Sequence, residues 1–260
     1  MKIGISTASL YPLETEKALE FLGQNGISVT EIFFNSPLEL EDDFTDKLLE
    51  IKQKYEIEVV SVHPCGSVGE PYFLFSDYIR RYSETREFYK KYYKAARKLG
   101  AKTVVLHGDS LAGHISFEEY CKRLDEMNGD AALYGVTVSH ENVNRFRCAT
   151  PENIAEIRRL TNDRQEFTFD IKQAVRAGYP VYDVYEAMKG KIVNVHISDH
   201  FEFDDCVLPG DGKFDFRELF SVLKNDGYEG ACLIEVYRRA YDDYSKLLDS
   251  HKFVNLIINY

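Results

Sequence analysis

The chain has 260 residues, of which 44% are hydrophobic and 29% are charged, a composition typical of a soluble globular protein. Its formal net charge of −11 argues against a nucleic-acid partner, because such surfaces gain most of their affinity from lysine and arginine contacts with phosphates. No apolar run approaches the length that spans a bilayer, so no membrane association is expected.

The five cysteines are scattered, and none of them forms a CxxC pair. This pattern favours a reducing, cytoplasmic setting over a disulfide framework. The first residues, MKIGISTASLYPLE, contain only a short apolar run broken by polar residues and proline, so a signal peptide is not expected. The sequence leaves a homo-oligomeric state open.

Segments typical of strands alternate with segments typical of helices along the whole chain. The predicted strands are residues 2–7, 29–34, 58–63, 102–107, 136–141, 166–170, 191–196 and 230–236. The predicted helices are residues 14–26, 42–55, 77–100, 116–135, 150–161, 182–190, 215–227 and 241–258, with a candidate break at Gly129. Eight strand–helix pairs in a chain of this length predict an α/β fold, a single (β/α)8 TIM barrel covering residues 1–260.

An open, doubly wound sheet is the alternative architecture. Such a sheet usually carries a glycine-rich phosphate loop after its first strand. The corresponding turn in this chain reads STASLYPLE and contains no GxGxxG pattern. The closed barrel is therefore the preferred prediction.

Six consecutive predicted strands, from the third to the eighth, end in a histidine or a carboxylate. These residues are His63, His107, Glu141, Asp170, His196 and Glu235. Because the carboxyl ends of barrel strands surround one axis, the six side chains are expected to face one shared cavity.

Each of these residues also has an ordinary structural interpretation when it is considered alone. Asp170 is placed to cap the next helix, and Glu235 is placed to pair with Arg238 or Arg239, which are close by in the sequence. As a group, however, three carboxylates and an imidazole in a small space require a neutralising cation. Their mixed oxygen and nitrogen donors suit Mn²⁺, Mg²⁺, Co²⁺ or Zn²⁺.

Other polar residues near the predicted cavity have less specific roles. His63 and His107 either bind substrate or hold a loop. His140 precedes Glu141 on the fifth strand and is therefore expected to point toward the helices. The segment LPGDG at 208–212 either approaches a ligand with its backbone or forms a plain turn.

The motifs SVHP, VLHGD, SHENV, FTFD, VNVHISD, LPGDG and LIEVY resemble those of the xylose isomerase-like TIM barrel superfamily. More narrowly, they resemble its sugar phosphate isomerase/epimerase branch, which is related to endonuclease IV. The resemblance spans the whole chain and implies one divalent ion, Mn, Co, Mg or Zn, held by Glu141, Asp170, His196 and Glu235. It also implies that Glu141 and Glu235 are the catalytic acid/base groups, which move a proton through an enediolate.

The same resemblance assigns substrate contacts and shows a departure from the family pattern. His63 and His107 match positions that bind zinc in the endonuclease and face the substrate in some isomerases. Gln173 stands where family members often carry a histidine, although it can still bind a sugar hydroxyl. The endonuclease uses that histidine for a third zinc, together with two residues that correspond to Asp204 and Cys206 here. A three-zinc cluster is therefore not expected.

The sequence predicts a metal-dependent isomerase or epimerase of a small sugar, keto-sugar or related polyol derivative. Dehydration of a keto-inositol is an alternative, since it begins with the same proton abstraction. An endonuclease IV-like AP endonuclease and a non-catalytic sugar-binding barrel are further alternatives. Specificity is expected to lie in loops such as 65–75 and 142–148, where Arg145 and Arg147 either contact a phosphate or carboxylate or lie on the solvated surface.

Overall fold

Eight parallel strands form a closed barrel in the computed structural model, which describes residues 1–66 and 69–258. The strands pair in chain order, and the last strand closes on the first. They are β1 Lys2–Ser6, β2 Val29–Phe34, β3 Glu58–Pro64, β4 Thr103–Leu106, β5 Thr137–Glu141, β6 Glu166–Asp170, β7 Ile192–Ile197 and β8 Ala231–Ile234. The predicted TIM barrel is confirmed.

Helices alternate with these strands and surround the barrel. They are α1 Thr15–Gln24, α2 Asp42–Lys54, α3 Glu70–Phe73, α4 Ile79–Leu99, α5 Phe117–Ala132, α6 Pro151–Leu160, α7 Ile171–Ala177, α8 Val181–Met188, α9 Phe216–Asn225 and α10 Tyr244–Ile258. Two of them, α3 and α7, lie in segments for which no helix is predicted. Within the described ranges, no helix has both the length and the apolarity needed to cross a membrane.

The sequence signals for helix ends have mixed outcomes. Ser116 and Thr150 cap α5 and α6 as predicted, since their hydroxyls accept hydrogen bonds from backbone N–H groups at 3.1 Å. The predicted break at Gly129 is wrong, because α5 continues through it to Ala132. The turn after α5 instead uses Gly135, whose φ of 73° lies in the left-handed region.

The barrel interior is more polar than the strand sequences suggest. A small apolar cluster of Val29, Ala231 and Leu233 is separate from the main core between strands and helices. Elsewhere Asn194 of β7 reaches across the barrel to Glu31 of β2, with 3.2 Å between the amide nitrogen and the carboxylate. The interior therefore already contains charged and hydrogen-bonding groups near the end where the sequence predicts the functional site.

Close approach of strands at Gly4 can be tested with a pair of glycine substitutions. A Cβ atom at Gly4 would lie 2.4 Å from the Val29 carbonyl oxygen, whereas nothing lies within 4 Å of one at Gly129. We expect Gly4→Ala to lower the free energy of unfolding by about 1–3 kcal/mol through overpacking. Gly129→Ala, in a helix interior, should raise it by about 0.5–1 kcal/mol. Urea denaturation measures both changes. Equal effects would contradict the close contact between β1 and β2 at Gly4.

Candidate metal centre

Four of the predicted site residues meet at the carboxyl end of the barrel. One ligand atom each of Glu141, Asp170, His196 and Glu235 lies within 4.8 Å of the others. His196 is central, with its Nδ1 atom 3.2 Å from Oε2 of Glu235 and 3.6 Å from Oε1 of Glu141. Asp170 Oδ2 lies 3.7 Å from the same nitrogen. Residues in or directly after four successive strands thus converge on one point.

The two remaining strand-end histidines form a second group that shares Glu141. The Nε2 atom of His107 lies 3.0 Å from Oε2 of Glu141, and that of His63 lies 3.5 Å from it. The Nδ1 atom of His63 lies 2.8 Å from the Pro64 carbonyl, which orients this ring so that Nε2 is directed toward Glu141. All six predicted residues are therefore contiguous in space.

Glu31 is a part of this site that the sequence analysis did not identify. Its side chain is fully buried, and Oε2 lies 3.1 Å from Nε2 of His196. The hydroxyls of Ser6 and Ser61 donate hydrogen bonds to it at 3.1 and 2.6 Å. A carboxylate behind a histidine fixes the tautomer and orientation of the ring, as it does in many metal sites. The available signal was a glutamate in the middle of an apolar strand, VTEIFF.

Lys172 is the second residue that the sequence analysis missed. Its buried ammonium lies 2.9 Å from Oε2 of Glu235 and 3.2 Å from Oδ2 of Asp170. Burial opposes its charge, but the two carboxylates raise the pKa of Lys172 well above its usual value. It therefore remains charged and neutralises part of the cluster.

The suggested pairing of Glu235 with the nearby arginines is wrong. Arg238 donates instead to backbone carbonyls of Tyr241 and Asp242. Arg239 points to Asp205, with 3.4 Å between the guanidinium and the carboxylate. Glu235 instead faces the cluster at the carboxyl end of the barrel, where Lys172 of α7 pairs with it.

The two carboxylate oxygens of Asp170 have different roles, one in capping a helix and one in the cluster. Its Oδ1 atom accepts a hydrogen bond from the Gln173 backbone N–H at 2.9 Å and so caps α7. Its Oδ2 atom faces the cluster and lies near Lys172 and His196. The helix cap thereby orients the oxygen that is directed toward the site.

The electrostatics of the cluster favour positive charge at its centre. Burial would lower the pKa of His196, but Glu31 and Glu235 raise it well above its usual value. Burial opposes the charge of Glu141 as well, yet the surrounding histidines hold the pKa of its carboxyl well below the usual value. Burial would lower the pKa of His63 too, but the carboxylates of Glu141 and Glu31 raise it to about 9.

The donor atoms fit a divalent cation. Buried Oε2 of Glu141, Oδ2 of Asp170 and Nδ1 of His196 lack hydrogen bonds of regular geometry, although charged neighbours lie close to them. Buried polar atoms normally make such bonds, so atoms that do not are candidates for another ligand. Carboxylate oxygens with one imidazole nitrogen match the preferences of Mn²⁺, Mg²⁺, Co²⁺ and Zn²⁺.

A cavity of about 780 Å³ opens onto this cluster. Glu141, Glu235, His63, His107 and Gln173 line it, whereas Asp170 and His196 do not. The predicted catalytic and substrate-binding residues are thus the ones that a ligand in the cavity can reach. Its remaining walls include aromatic side chains, contributed by Phe33, Phe146 and Tyr237.

Several other expectations are resolved by the local contacts. His140 points away from the cavity, as predicted, and its Nε2 atom lies 2.7 Å from the Tyr120 hydroxyl. Arg147 is neither an anion-binding nor a surface residue, because it is buried and lies 3.0 Å from Asp109. The LPGDG segment forms a turn around Asp199, whose carboxylate accepts the backbone N–H groups of Gly210 and Gly212.

Comparisons with known proteins identify the family of this barrel. The family model described as “Xylose isomerase-like TIM barrel” matches residues 19–254. The chain belongs to this family. An uncharacterized protein of Methanocaldococcus jannaschii is 28% identical over 249 residues, which cover 90% of this chain and 83% of that protein. Fructoselysine 3-epimerase of Escherichia coli O157:H7 is 23% identical over 255 residues, 91% of this chain and 90% of the enzyme.

Solved structures with the same fold include sugar epimerases of this superfamily. A D-tagatose 3-epimerase-like protein has a TM-score of 0.81 at 24% identity, over 100% of this chain and 98% of its own. The IOLI protein, solved with a binding zinc atom, has a TM-score of 0.78 at 22% identity, over 99% and 98% of the two chains. The resemblance inferred from the strand-end motifs is confirmed at the level of the family.

The role of Lys172 as a buried counter-charge in this xylose isomerase-like barrel can be tested by measuring stability after its removal. Lys172→Met leaves Asp170 and Glu235 without their buried counter-charge, so we expect the metal-free protein to lose about 3–5 kcal/mol of unfolding free energy. Saturating Mn²⁺ should recover part of this loss. Lys252→Met is the control, because Lys252 forms an exposed pair with Asp249 and should change little. Urea denaturation with and without Mn²⁺ measures these effects, and an unchanged Lys172→Met protein would contradict the assigned role.

Proposed function

We propose that the protein is a divalent-metal-dependent isomerase or epimerase of a small sugar, keto-sugar or related polyol derivative. The single observation that carries this proposal is the position of Glu141 and Glu235. Both belong to the carboxylate–histidine cluster, and both line the cavity. They therefore combine access to a ligand with the charged surroundings that proton transfer requires. The fructoselysine 3-epimerase among the relatives supports the same class of reaction.

We assign Glu141, Asp170, His196 and Glu235 as ligands of one Mn, Co, Mg or Zn ion. When bound, such an ion polarises a sugar carbonyl and stabilises negative charge that develops on its oxygen. The irregular bonding of three buried donor atoms supports the assignment. The zinc atom of the IOLI structure is a further support, because that barrel has the same fold.

Glu141 and Glu235 are the groups that transfer the proton in this proposal. One carboxylate removes the proton from the carbon beside the carbonyl, and the C–H electron pair forms a C=C bond while the carbonyl oxygen becomes an oxyanion. The other carboxyl group then donates a proton to the opposite face of the same carbon, which restores the carbonyl with inverted configuration. The two glutamates exchange protonation states in each turnover.

His63, His107 and Gln173 are proposed to hold the sugar. Both histidines line the cavity, where their Nε2 atoms lie 3.2 Å apart, and the buried Nδ1 atom of His107 makes no hydrogen bond of regular geometry. Gln173 uses its amide oxygen to accept the Asn144 backbone N–H at 3.2 Å. Its amide nitrogen is therefore the group that remains for a sugar hydroxyl.

A second candidate function is favoured by one specific observation. His63, His107 and Glu141 form a group that is itself able to hold an ion, as expected for an endonuclease IV-like enzyme. Against this function, the positions that would bind a third zinc are engaged otherwise. Gln173 bonds to Asn144, and Asp204 accepts the Cys206 backbone N–H at 3.2 Å. The isomerase or epimerase is therefore preferred.

Metal counting distinguishes the two functions. We expect the protein loaded with Mn²⁺ or Zn²⁺ and then dialysed to retain one ion per chain, measured by elemental analysis. The double variant His63→Ala/His107→Ala should retain the same number, because these histidines are assigned to the substrate. Retention of several zinc ions, with nicking of a duplex that contains an abasic site, would favour the endonuclease instead.

Solvent deuterium exchange tests the proton transfer directly. The Mn²⁺-loaded protein is expected to incorporate deuterium beside the carbonyl of a ketose in heavy water. Glu141→Gln and Glu235→Gln should each lower this rate at least about 100-fold, since a general acid or base contributes about 10²–10⁴. Glu229→Gln is the matched control, because Glu229 is exposed and precedes the opposite end of β8.

Metal content measured on each of these variants separates loss of the ion from loss of proton transfer. No exchange with a broad panel of ketoses would contradict the proposed chemistry. Wild-type rates in both site variants would remove Glu141 and Glu235 from it.

A further inference from the structure

Charge is separated along the depth of the cavity. Its floor carries Glu141 and Glu235 beside the ammonium of Lys172, with Asp170 and Glu31 buried behind them. Its mouth carries guanidinium groups, from Arg145 on the loop after β5 and Arg176 on α7. A chain with a net charge of −11 thus places cations at the entrance to a cluster of buried carboxylates. Such an arrangement attracts an anion to the mouth, while the floor accepts a cation.

The backbone of Arg145 is held in an unfavourable conformation. Its φ of 67° lies in the left-handed region, which costs a non-glycine residue energy that glycine or asparagine would largely avoid. The Leu111 N–H donates to its carbonyl at 2.9 Å, and an isolated antiparallel bridge joins Ser110 and Phe146 beside it. The surrounding structure therefore fixes the position from which the side chain enters the cavity.

The guanidinium of Arg145 is available for a ligand. The residue is exposed and lines the cavity. Within residues 1–66 and 69–258, no hydrogen bond or ion pair involves this guanidinium. Arg147, two residues further on, shows the contrast, since it is buried against Asp109. Arginine is the side chain best suited to bind a planar or tetrahedral oxyanion with two N–H groups.

A second positive group lies on the neighbouring element. Arg176 binds both oxygens of Asp205 at 2.5 and 2.8 Å, and it also donates to the Tyr237 hydroxyl at 2.6 Å. Arg239 lies 3.4 Å from the same carboxylate, so Asp205 balances two guanidinium groups with one negative charge. This side of the mouth therefore retains positive charge.

The two sides of the mouth are tied together. The backbone N–H of Asn144 donates to Gln173, and Arg176 follows Gln173 by three residues on α7, which places both on the same face of the helix. Arg145 directly follows Asn144 in the chain. Both cations therefore border the same part of the cavity, away from the cluster at its floor.

We propose that the substrate carries an anionic group, a phosphate or a carboxylate, and that Arg145 binds this group at the mouth of the cavity. This inference rests on the proposed function, because it names the class of sugar that the same cavity turns over. Arg145 is a specificity residue in this account, and it takes no part in the proton transfer. The net positive charge of the Arg176–Asp205–Arg239 group also favours an anionic group at the mouth of the cavity.

The test compares charged and neutral sugars with the Mn²⁺-loaded protein. Deuterium exchange is measured with D-fructose, D-fructose 6-phosphate and 5-keto-D-gluconate. We expect kcat/KM for at least one charged sugar to exceed that for D-fructose at least about tenfold. The preferred charged sugar then distinguishes a phosphate from a carboxylate.

Variants assign the preference to the residue. Arg145→Gln should lower kcat/KM for the charged sugar about 10–100-fold through KM, and change that for D-fructose less than about twofold. Arg145→Lys should retain part of the preference, because it keeps the charge but loses the bidentate geometry. Arg97→Gln is the control, since Arg97 is exposed in the last turn of α4, at the opposite end of the barrel. Arg145→Gly relieves the left-handed strain and should melt at or above the wild-type temperature.

The outcomes separate failure of this inference from failure of the proposed function. If D-fructose reacts as well as the charged sugars, or Arg145→Gln affects both classes equally, the anion site is overturned and the isomerase remains. If no sugar exchanges deuterium, the proposed chemistry is contradicted, and calorimetric binding of D-fructose 6-phosphate decides the inference alone. Weaker binding to Arg145→Gln than to Arg97→Gln supports the anion site, and equal binding overturns it.

Discussion

The burial of negative charge at one end of the barrel is the constraint on which the rest of the site depends. Glu31, Glu141, Asp170 and Glu235 are each at most 9% exposed. Carboxylates in such surroundings are costly unless positive charge compensates them. Lys172 and the surrounding histidines supply part of that positive charge. A divalent ion bound by the cluster would add to it. The polar barrel interior follows from the same requirement, because Ser6, Ser61 and Asn194 satisfy the oxygens of Glu31.

Much of the site could be predicted from the sequence because the barrel converts a pattern along the chain into a location in space. A His or carboxylate at the end of one strand says little, but parallel strands in a closed barrel all end on the same face. The register follows simple alternation at β5, where Glu141 faces inward and His140 outward.

The parts that the sequence did not reveal depend on contacts between distant segments. Glu31 lies within an apolar strand rather than at its end, and its function becomes apparent only when β7 brings His196 beside it. Lys172 was missed because no helix is predicted directly after β6. The structure has α7 there, and this helix directs the lysine side chain toward Glu235. Arg147 was misjudged because its partner, Asp109, comes from the preceding strand–helix unit.

The capping of α7 by Asp170 links the floor of the cavity to its mouth. One oxygen of this carboxylate faces the cluster, and the other holds the first turn of the helix that carries Gln173 and, one turn later, Arg176. A shift of the carboxylate to accommodate an ion of larger or smaller radius would therefore tilt the start of α7 and move the wall that meets the sugar. In this barrel, the choice of ion and the choice of sugar are expected to vary together.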